Sequence, residues 1–337
     1  LCSMTAHGIN PNIHTIARIC NPDYTDQVYK MQKTFALSLT VNPEKQAAIE
    51  IERLLKFPGF LKRDSFAKGR VEIVELRVDE RSRLCNVALS ELNRVIKCRV
   101  LVCAVLRRGD VVAPDGSFVL REGDRIFVTA STESLATLLD NLGIITKKVN
   151  HVMICGGGRV SYYLAQQLEK DGMTVRLIEK DPKHCEELAA LLPKTEIIND
   201  DASNTFVLKR ENIESCDALV TATGMDELNM IISLYGTKHG VSQVITKLGH
   251  MENGSMIDQL PIGSTIWPKD LCCNGIVRYI RAMHNQTGAA VSVHSIADGK
   301  AEAIEFHVEE KKPYCDKPLK NMKVKQNILV ACITHGG

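Results

Sequence analysis

Residues 154–181 read ICGGGRVSYYLAQQLEKDGMTVRLIEKD, and no other stretch narrows the possible folds as much. A short apolar run ends in three glycines, an amphipathic stretch follows, and a second apolar run closes on an acid. Gly156-Gly157-Gly158-Arg159-Val160-Ser161 has the spacing G-x-G-x-x-G. Gly156 permits a tight turn out of a strand, and Gly158 lets backbone approach a pyrophosphate. The third position, here Ser161, sets how closely a helix packs on the sheet. Val160, Tyr163, Leu164 and Leu168 recur at helical spacing and Gly172 stops the helix. Backbone N–H groups and the positive dipole end at the helix start would hold phosphate oxygens, and Arg159 can add a charge-assisted contact. Glu179 follows at about 20 residues, where a carboxylate accepts hydrogen bonds from the ribose hydroxyls. It would repel a 2′-phosphate, which favours NAD or an adenosine nucleotide over NADP.

The pattern continues beyond this unit. Strands are expected at Val152 to Cys155, Thr174 to Ile178, Glu196 to Ile198, Ala218 to Ala222 and Gln243 to Thr246, with helices between them, one starting at Pro182. Such alternation implies parallel βαβ units. In a sheet of that kind ligands bind at the carboxyl ends of the strands. This makes Thr223-Gly224 a candidate, although a plain strand end reads the same way. Asp201 and Ala202, at the exit of the third strand, could flank an adenine. Residues 66–148 differ: dense β-branched runs, a helix near Thr132 to Asn141, and turns at Pro114-Asp115-Gly116 and Glu122-Gly123-Asp124 predict a small α+β domain.

The chain also repeats itself. GRVEIVELRVDE from Gly69 matches GKAEAIEFHVEE from Gly299 without a gap. Leu84-Cys85-Asn86 faces Tyr314-Cys315-Asp316, Leu89 faces Leu319, and after a short shift VLVCAVL from Val100 aligns with ILVACIT from Ile328. Upstream, Thr40-Val41-Asn42-Pro43 resembles Thr265-Ile266-Trp267-Pro268, and Ile16-Ala17-Arg18-Ile19 resembles Ile245-Thr246-Lys247-Leu248. So long a period means a duplicated domain. Arg18 and Lys247 follow strand-like runs, which usually end in solvent; their matched positions make them further candidates. The order of the matched parts predicts that the first copy lacks its own glycine loop and that the chain, which starts at Leu1 and stops at Gly336-Gly337, is either cut at both ends or has undefined ends.

Composition excludes several classes. With 42 basic and 40 acidic side chains the net charge is +2, too balanced to indicate a nucleic-acid binder. No apolar run approaches the roughly 20 residues of a membrane helix. The 12 cysteines form no CxxC pair, and Cys98, Cys103, Cys155 and Cys332 lie in apolar strand-like runs; they are expected reduced and mostly buried, in a cytosolic protein. The 10 histidines are scattered, so no metal site is expected, and His294 and His307 read as structural.

The glycine segment, IINDDAS, DALVTATGMDELNM, ITKL, GRVEIVELRVDERSRLCNVAL and VLREGDRIFV together resemble the peripheral-subunit family of Trk-type potassium-uptake systems, built from tandem regulator-of-potassium-conductance (RCK, or KTN) domains. Asp217 to Asn229 fits that family's D-A-[FL]-[VI]-A-[LV]-T-x-x-D-E-x-N form. Asp200 departs from a frequent glycine and Lys247 from the usual arginine, which Arg18 keeps in the first copy. The resemblance implies an α/β fold in which Rossmann-like doubly wound parallel sheets (RCK-N) alternate with small α+β C-terminal (RCK-C) domains. The expected boundaries are residues 1–60 for the end of a first RCK-N, 66–148 for the first RCK-C, 149–284 for the second RCK-N and 288–337 for an incomplete second RCK-C. It implies binding of NAD(H), with ATP or ADP as alternatives, by Gly156, Gly157, Gly158, Arg159, Val160, Ser161, Glu179, Lys180, Asp201, Ala202, Thr223, Gly224, Lys247 and Arg18. It further implies a cytoplasmic, non-catalytic ring, peripheral at the inner face of the plasma membrane, beneath a membrane potassium-translocating subunit of the TrkH or TrkG type. The competing reading is an NAD-dependent oxidoreductase. That needs a domain supplying a proton donor or base beside the nicotinamide, whereas the sequence offers a small duplicated β-rich domain. Residues 1–60 read as a half sheet with an open edge and an uncovered apolar face, so the chain is expected to self-associate, with apolar surface from residues 1–60 or from the helix at Pro268 to Met283 buried against a partner.

Overall fold

The structure, a computed structural model, describes every residue except 1, 57–59, 61, 68–69, 81, 143–147, 250–256, 258–259, 285–289, 298, 309–314, 316, 323–324, 326 and 336–337. Of the repeat positions, Gly69, Glu309, Glu310, Tyr314, Asp316, Gly336 and Gly337 lie outside the described residues. The chain divides into two compact units, Leu1–Pro58 with Lys147–Tyr279, and Gly59–Thr146 with Ile280–Gly337.

In chain order the elements are α1 (Cys2–Ile9), β1 (Ile16–Arg18), α2 (Pro22–Lys30), β2 (Leu39–Val41) and α3 (Pro43–Lys56). Next come β3 (Lys62–Phe66), β4 (Val71–Arg77), α4 (Leu92–Ile96), β5 (Leu101–Arg107), β6 (Asp110–Val112), β7 (Arg125–Ala130) and α5 (Thr132–Asn141). The glycine segment opens a run of β8 (His151–Cys155), α6 (Arg159–Lys170), β9 (Thr174–Glu179), α7 (Pro182–Leu191), β10 (Glu196–Asn199), α8 (Thr205–Arg210), β11 (Ala218–Thr221), α9 (Asp226–Lys238), β12 (Gln243–Lys247), β13 (Ser264–Ile266) and α10 (Pro268–His284). A hairpin of β14 (Ala290–Ile296) and β15 (Ala301–Phe306) follows.

The helix ends obey local chemistry. Gly172, with φ +76°, takes the left-handed turn after α6 at little steric cost. Asp181 caps α7 by accepting from the N–H groups of Lys183 (3.0 Å) and His184 (3.4 Å), and Pro182 fills the first helical position. β8 to β13 form one all-parallel sheet in the order β10-β9-β8-β11-β12-β13, the doubly wound arrangement. Its central strands are buried from Val152 to Cys155 and from Ala218 to Thr221 because helices cover both faces. One face carries Val160, Leu164 and Leu168 of α6 with Ile154, Leu177 and Val220. The other carries Val207, Leu208 and Ile232 against Met153 and Leu219.

The first core reaches further than the sequence reading anticipated. Ala47, Ala48, Ile51, Leu54 and Leu55 of α3 belong to it, so the apolar face of α3, expected to need a second chain, lies against α6 of the same chain. Polar contacts reinforce the seam. Asn42 Nδ2 donates to the Tyr163 hydroxyl (3.1 Å), which donates to the Cys20 carbonyl (3.2 Å). Lys56 Nζ lies 2.9 Å from Asp171 Oδ2, and Gln243 Nε2 donates to the Leu54 carbonyl (2.6 Å). α10 keeps Val277 and Ile280 exposed.

In the second unit β3-β4-β7-β5-β6 form an antiparallel sheet. One face packs Val74, Leu76, Ile126 and Val128 against Ile96 of α4 and Leu135 and Leu138 of α5. The other face holds Phe66, Ile73 and Phe127 together with Ile296 and Ala297, next to the β14–β15 hairpin.

The duplication read from the sequence reappears in the pairing registers. Ile16, Ala17 and Arg18 pair in parallel with Leu39, Thr40 and Val41, as Ile245, Thr246 and Lys247 pair with Ser264, Thr265 and Ile266. In the hairpins, Asp64 pairs with Ile73 and Phe66 with Val71, while His294 pairs with Ala303 and Ile296 with Ala301. Ala67 and Ala297, at corresponding turns, both take positive φ (52° for Ala297, 49° for Ala67). His294 Nδ1 sits 3.0 Å from Asp64 Oδ1, a separation of 230 residues, so equivalent positions of the two copies touch.

Two expectations fail. Ile328 to Cys332 is not a strand, although it aligns with β5; a strand needs a ladder partner for its backbone groups, and none pairs with this segment among the described residues. The cysteines are all free, but of Cys98, Cys103, Cys155 and Cys332 only Cys155 is buried, and Cys332 is exposed. Apolar alternation shows that a run can be buried, and the neighbouring elements decide whether it is.

Candidate functional site

The carboxyl ends of β8 and β11 are adjacent at the point where the strand order reverses, and the chain leaves both through short loops. Gly156, with φ +99°, turns the chain out of β8, and its N–H bonds the Ile178 carbonyl (2.8 Å). A Cβ at Gly156 would lie 2.8 Å from Thr223 Cα and 2.9 Å from the Ala222 carbonyl oxygen. The glycine loop and the Thr223-Gly224 turn therefore press backbone on backbone, as the sequence reading required for both to serve one site. Gly158 caps α6 without any side-chain hydrogen bond, and a Cβ there would meet nothing within 4 Å. The first N–H groups of α6 have no intrahelical partners. A phosphate group fits this arrangement.

Gly157 shows a constraint absent from the G-x-G-x-x-G pattern, in which its position is free. A Cβ there would sit 2.7 Å from Leu188 Cδ1 and 2.9 Å from Glu179 Oε2. The room goes to a hydrogen bond: Gly157 N–H donates to Glu179 Oε2 (2.7 Å). Glu179 Oε1 accepts from Asp181 N–H (2.9 Å). The proposed ribose acceptor is thus fixed at both oxygens by backbone, with further lone pairs available. Ser161 is fully buried at the helix–sheet contact. Its hydroxyl has no hydrogen-bond partner among the described residues, so the departure from glycine carries a penalty of about 1–3 kcal/mol. Val160 packs in the core with α3, while Arg159 and Lys180 are exposed at the rim.

At the β10 exit, Asp201 Oδ1 accepts from Ser203 N–H (2.8 Å), which holds the Asp201 carboxyl below its ordinary range, with Lys180 helping. Ala202 is buried against the sheet. Asp200 is bonded by the Asp201 N–H and pairs with Arg210 at 2.9 Å. Its charge, the departure from the family's frequent glycine, is therefore matched locally.

Behind the Thr223 turn lies Asn229, fully buried on α9. Its Oδ1 accepts from Thr223 N–H (2.9 Å) and Thr223 Oγ1 (2.7 Å), and its Nδ2 donates to the Lys247 carbonyl (2.9 Å). One side chain thereby fixes the ends of β11 and β12 together. Lys247 turns back over the same turn, its Nζ 2.7 Å from the Thr223 carbonyl. Burial pulls its pKa down against the pull of Asp226 and Glu44. Arg18, its counterpart, is tied within its own segment, to Glu44 Oε1 (2.7 Å) and Cys20 Sγ (2.9 Å), and no described contact links it to the glycine loop. The fold thus gathers Gly156 to Ser161, Glu179, Thr223 and Lys247 at one sheet edge, with Lys180, Asp201 and Ala202 flanking it. Asn229 and His184, a contact of the Gly157 carbonyl, were not among the sequence candidates. Asn229 does end the motif that begins at Asp217.

The TrkA-N domain family matches residues 152–268 and the TrkA-C domain family matches residues 73–143. The chain carries a TrkA-N and a TrkA-C domain. Its relatives include Trk system potassium uptake protein TrkA homolog 1 of Methanosarcina mazei, 27% identical over 96% of this chain and 70% of the relative. Trk system potassium uptake protein TrkA of Haemophilus influenzae is 30% identical over 86% of this chain, which spans 63% of that protein. Among solved structures, the GsuK channel shares the fold with a TM-score of 0.59 at 15% identity, over 87% of this chain and 52% of the channel chain. The GsuK channel bound to NAD gives 0.55 at 16% identity, over 83% and 50%. A TrkA-N domain sits on residues that form the parallel sheet and glycine loop, and a TrkA-C domain on the antiparallel sheet. Among the described residues no helix is long and apolar enough to cross a membrane.

Proposed function

We propose that this chain is a nucleotide-sensing regulatory subunit. On this reading it binds NAD(H), with ATP or ADP as the alternatives, and through that binding gates a membrane potassium-translocating subunit of the TrkH or TrkG type. One observation carries the nucleotide reading: the uncapped start of α6 opens beside Gly158, with Glu179 fixed at the end of β9. NAD(H) would be held by its pyrophosphate on the N–H groups of residues 158–161, by a ribose on Glu179, and by Arg159 and Lys180 at the rim, with Asp201 and Ala202 beside the adenine. Gating would follow from unequal affinity of the nucleotide for two arrangements of the protein. Lys247 and Asn229, which join the site to the β12 end, are the residues best placed to transmit the difference. Self-association into a dimer and a larger ring belongs to the same reading, with the exposed Val277 and Ile280 of α10 as the contact surface. The expected domain boundaries, 1–60, 66–148, 149–284 and 288–337, remain part of it.

Calorimetry with NADH, NAD, ATP and ADP tests the nucleotide step directly. One ligand per chain is expected, since residues 1–56 contain no glycine loop; a stoichiometry near two would contradict the assignment. Glu179→Ala removes both the ribose acceptor and the clamp on Gly157, so NADH affinity should fall about 10- to 100-fold. Unchanged affinity would show that this acid is not the ribose partner. NADH recovered unchanged after incubation with carbonyl substrates is the outcome expected of a sensor, and its oxidation would favour the oxidoreductase reading.

A further inference from the structure

We infer that His184 is a proton-dependent positioning residue for the glycine loop, so that occupancy of the nucleotide site declines as pH rises. This rests on the nucleotide reading above. His184 lies in the first turn of α7, with ring Nε2 2.9 Å from the Gly157 carbonyl oxygen and Nδ1 3.1 Å from Glu187 Oε2. A carbonyl and a carboxylate are both acceptors. The two contacts are both hydrogen bonds only when each ring nitrogen carries a proton, that is, in the imidazolium. A neutral ring donates to one acceptor and turns a lone pair on the other.

The consequence for the loop follows from peptide geometry. Gly157 N–H is held by Glu179 Oε2 (2.7 Å) and its carbonyl by His184, so both backbone groups of Gly157 are committed to the β9–α7 side. Among the described residues no peptide bond is cis, and in a planar trans peptide the C=O and the next N–H point in opposite directions. Fixing the Gly157 carbonyl toward α7 therefore aims the Gly158 N–H away from α7. The positive ring also stands beside a site meant for an anion.

The charged groups around the ring act in a consistent direction. Glu187 comes from α7 itself and Glu179 from β9, and Asp181 accepts from the His184 backbone N–H. Against them stand the exposed Lys180 and Lys183, and Arg159 at the start of α6. The loop residues 156–158 bring no titratable side chain, and the Cys185 thiol, pushed up by burial, is turned to the Glu179 carbonyl. The hydrogen bond to Glu187, followed by the bond to Gly157, raises His184 above its ordinary 6.5 against partial burial. The sign follows: the imidazolium is complete at low pH and is lost as pH rises through that raised value.

The test measures NAD affinity by calorimetry from about pH 5.5 to about pH 9 for the full chain and for His184→Gln. The glutamine amide can donate to Gly157 but does not titrate. NMR of the His184 ring nitrogens gives an independent reading. The full chain is expected to lose about 3- to 10-fold in affinity across the range, the scale of one charge-assisted hydrogen bond. The variant should show a flatter profile, and both ring nitrogens should carry protons at the acid end of the range. NAD binding with the same pH profile in both proteins, or a ring neutral at pH 6.5, overturns the inference and leaves the nucleotide reading intact. No NAD binding by the full chain at any pH removes the nucleotide reading, and this inference with it.

Discussion

Replacing Gly156 by alanine should both destabilise the glycine-loop unit and abolish nucleotide binding. At φ +99° an L side chain is strained, and the added methyl would stand 2.8–2.9 Å from the backbone of Ala222 and Thr223. Backbone cannot move aside as a flexible side chain can, so the loop must lift from the β11 turn. Strain and overpacking together should lower the unfolding free energy by about 2–4 kcal/mol, roughly 5–12 °C in melting temperature for a unit of this size. NAD should no longer bind, because the Gly158 N–H and Glu179 are placed by the same turn. Gly158→Ala is the control: its Cβ meets nothing, so stability should hold while affinity drops. Equal melting temperatures for Gly156→Ala and the unmodified chain would mean that the contact with Thr223 is not what shapes the loop.

Ile51→Ala should have the second large effect, although Ile51 lies over a hundred positions from the glycine loop. Ile51 is 0% exposed and packs in the core formed by α3 and α6. Removing its buried methyl groups should cost about 2–4 kcal/mol, read as a shift of the urea midpoint without a change of slope. Because the same core supports α6, the start of which forms the proposed phosphate site, nucleotide affinity should weaken as well. A loss below about 1 kcal/mol would show instead that α3 is loosely attached and that residues 1–56 do not fold with the glycine-loop unit.

Much of this organisation was legible in the residues. Three glycines between a strand and an amphipathic helix, with an acid after the next strand, specify a βαβ turn because only that turn needs them at that spacing. Pro182 and Asp181 mark the start of α7 for reasons local to the backbone. The repeat predicted a duplicated domain, and the two hairpins do share one register, since side chains alternate with period two and a slip of one residue would turn every apolar side chain outward. The failures have a common origin. Ile328 to Cys332 has the composition of β5 without its partner strand. α3 has an amphipathic pattern that says one face is buried but cannot say by what. Gly157, Asn229 and His184 carry local signals that fit a loop, a helix and a helix start, and their roles exist only because Leu188, Thr223 and the Gly157 carbonyl come to meet them.

By itself, then, the sequence determined the parallel sheet, its glycine loop, the acid facing it and the duplication, because each depends on backbone conformation, short-range spacing or periodicity. The tertiary structure decided which apolar faces pair, that α3 closes on α6 within one chain, and that Glu179 and His184 take hold of the N–H and the carbonyl of one residue, Gly157. Those are contacts between residues far apart in the chain or on different elements, set by the close packing of side-chain volumes and the pairing of buried polar groups, and no local pattern encodes them.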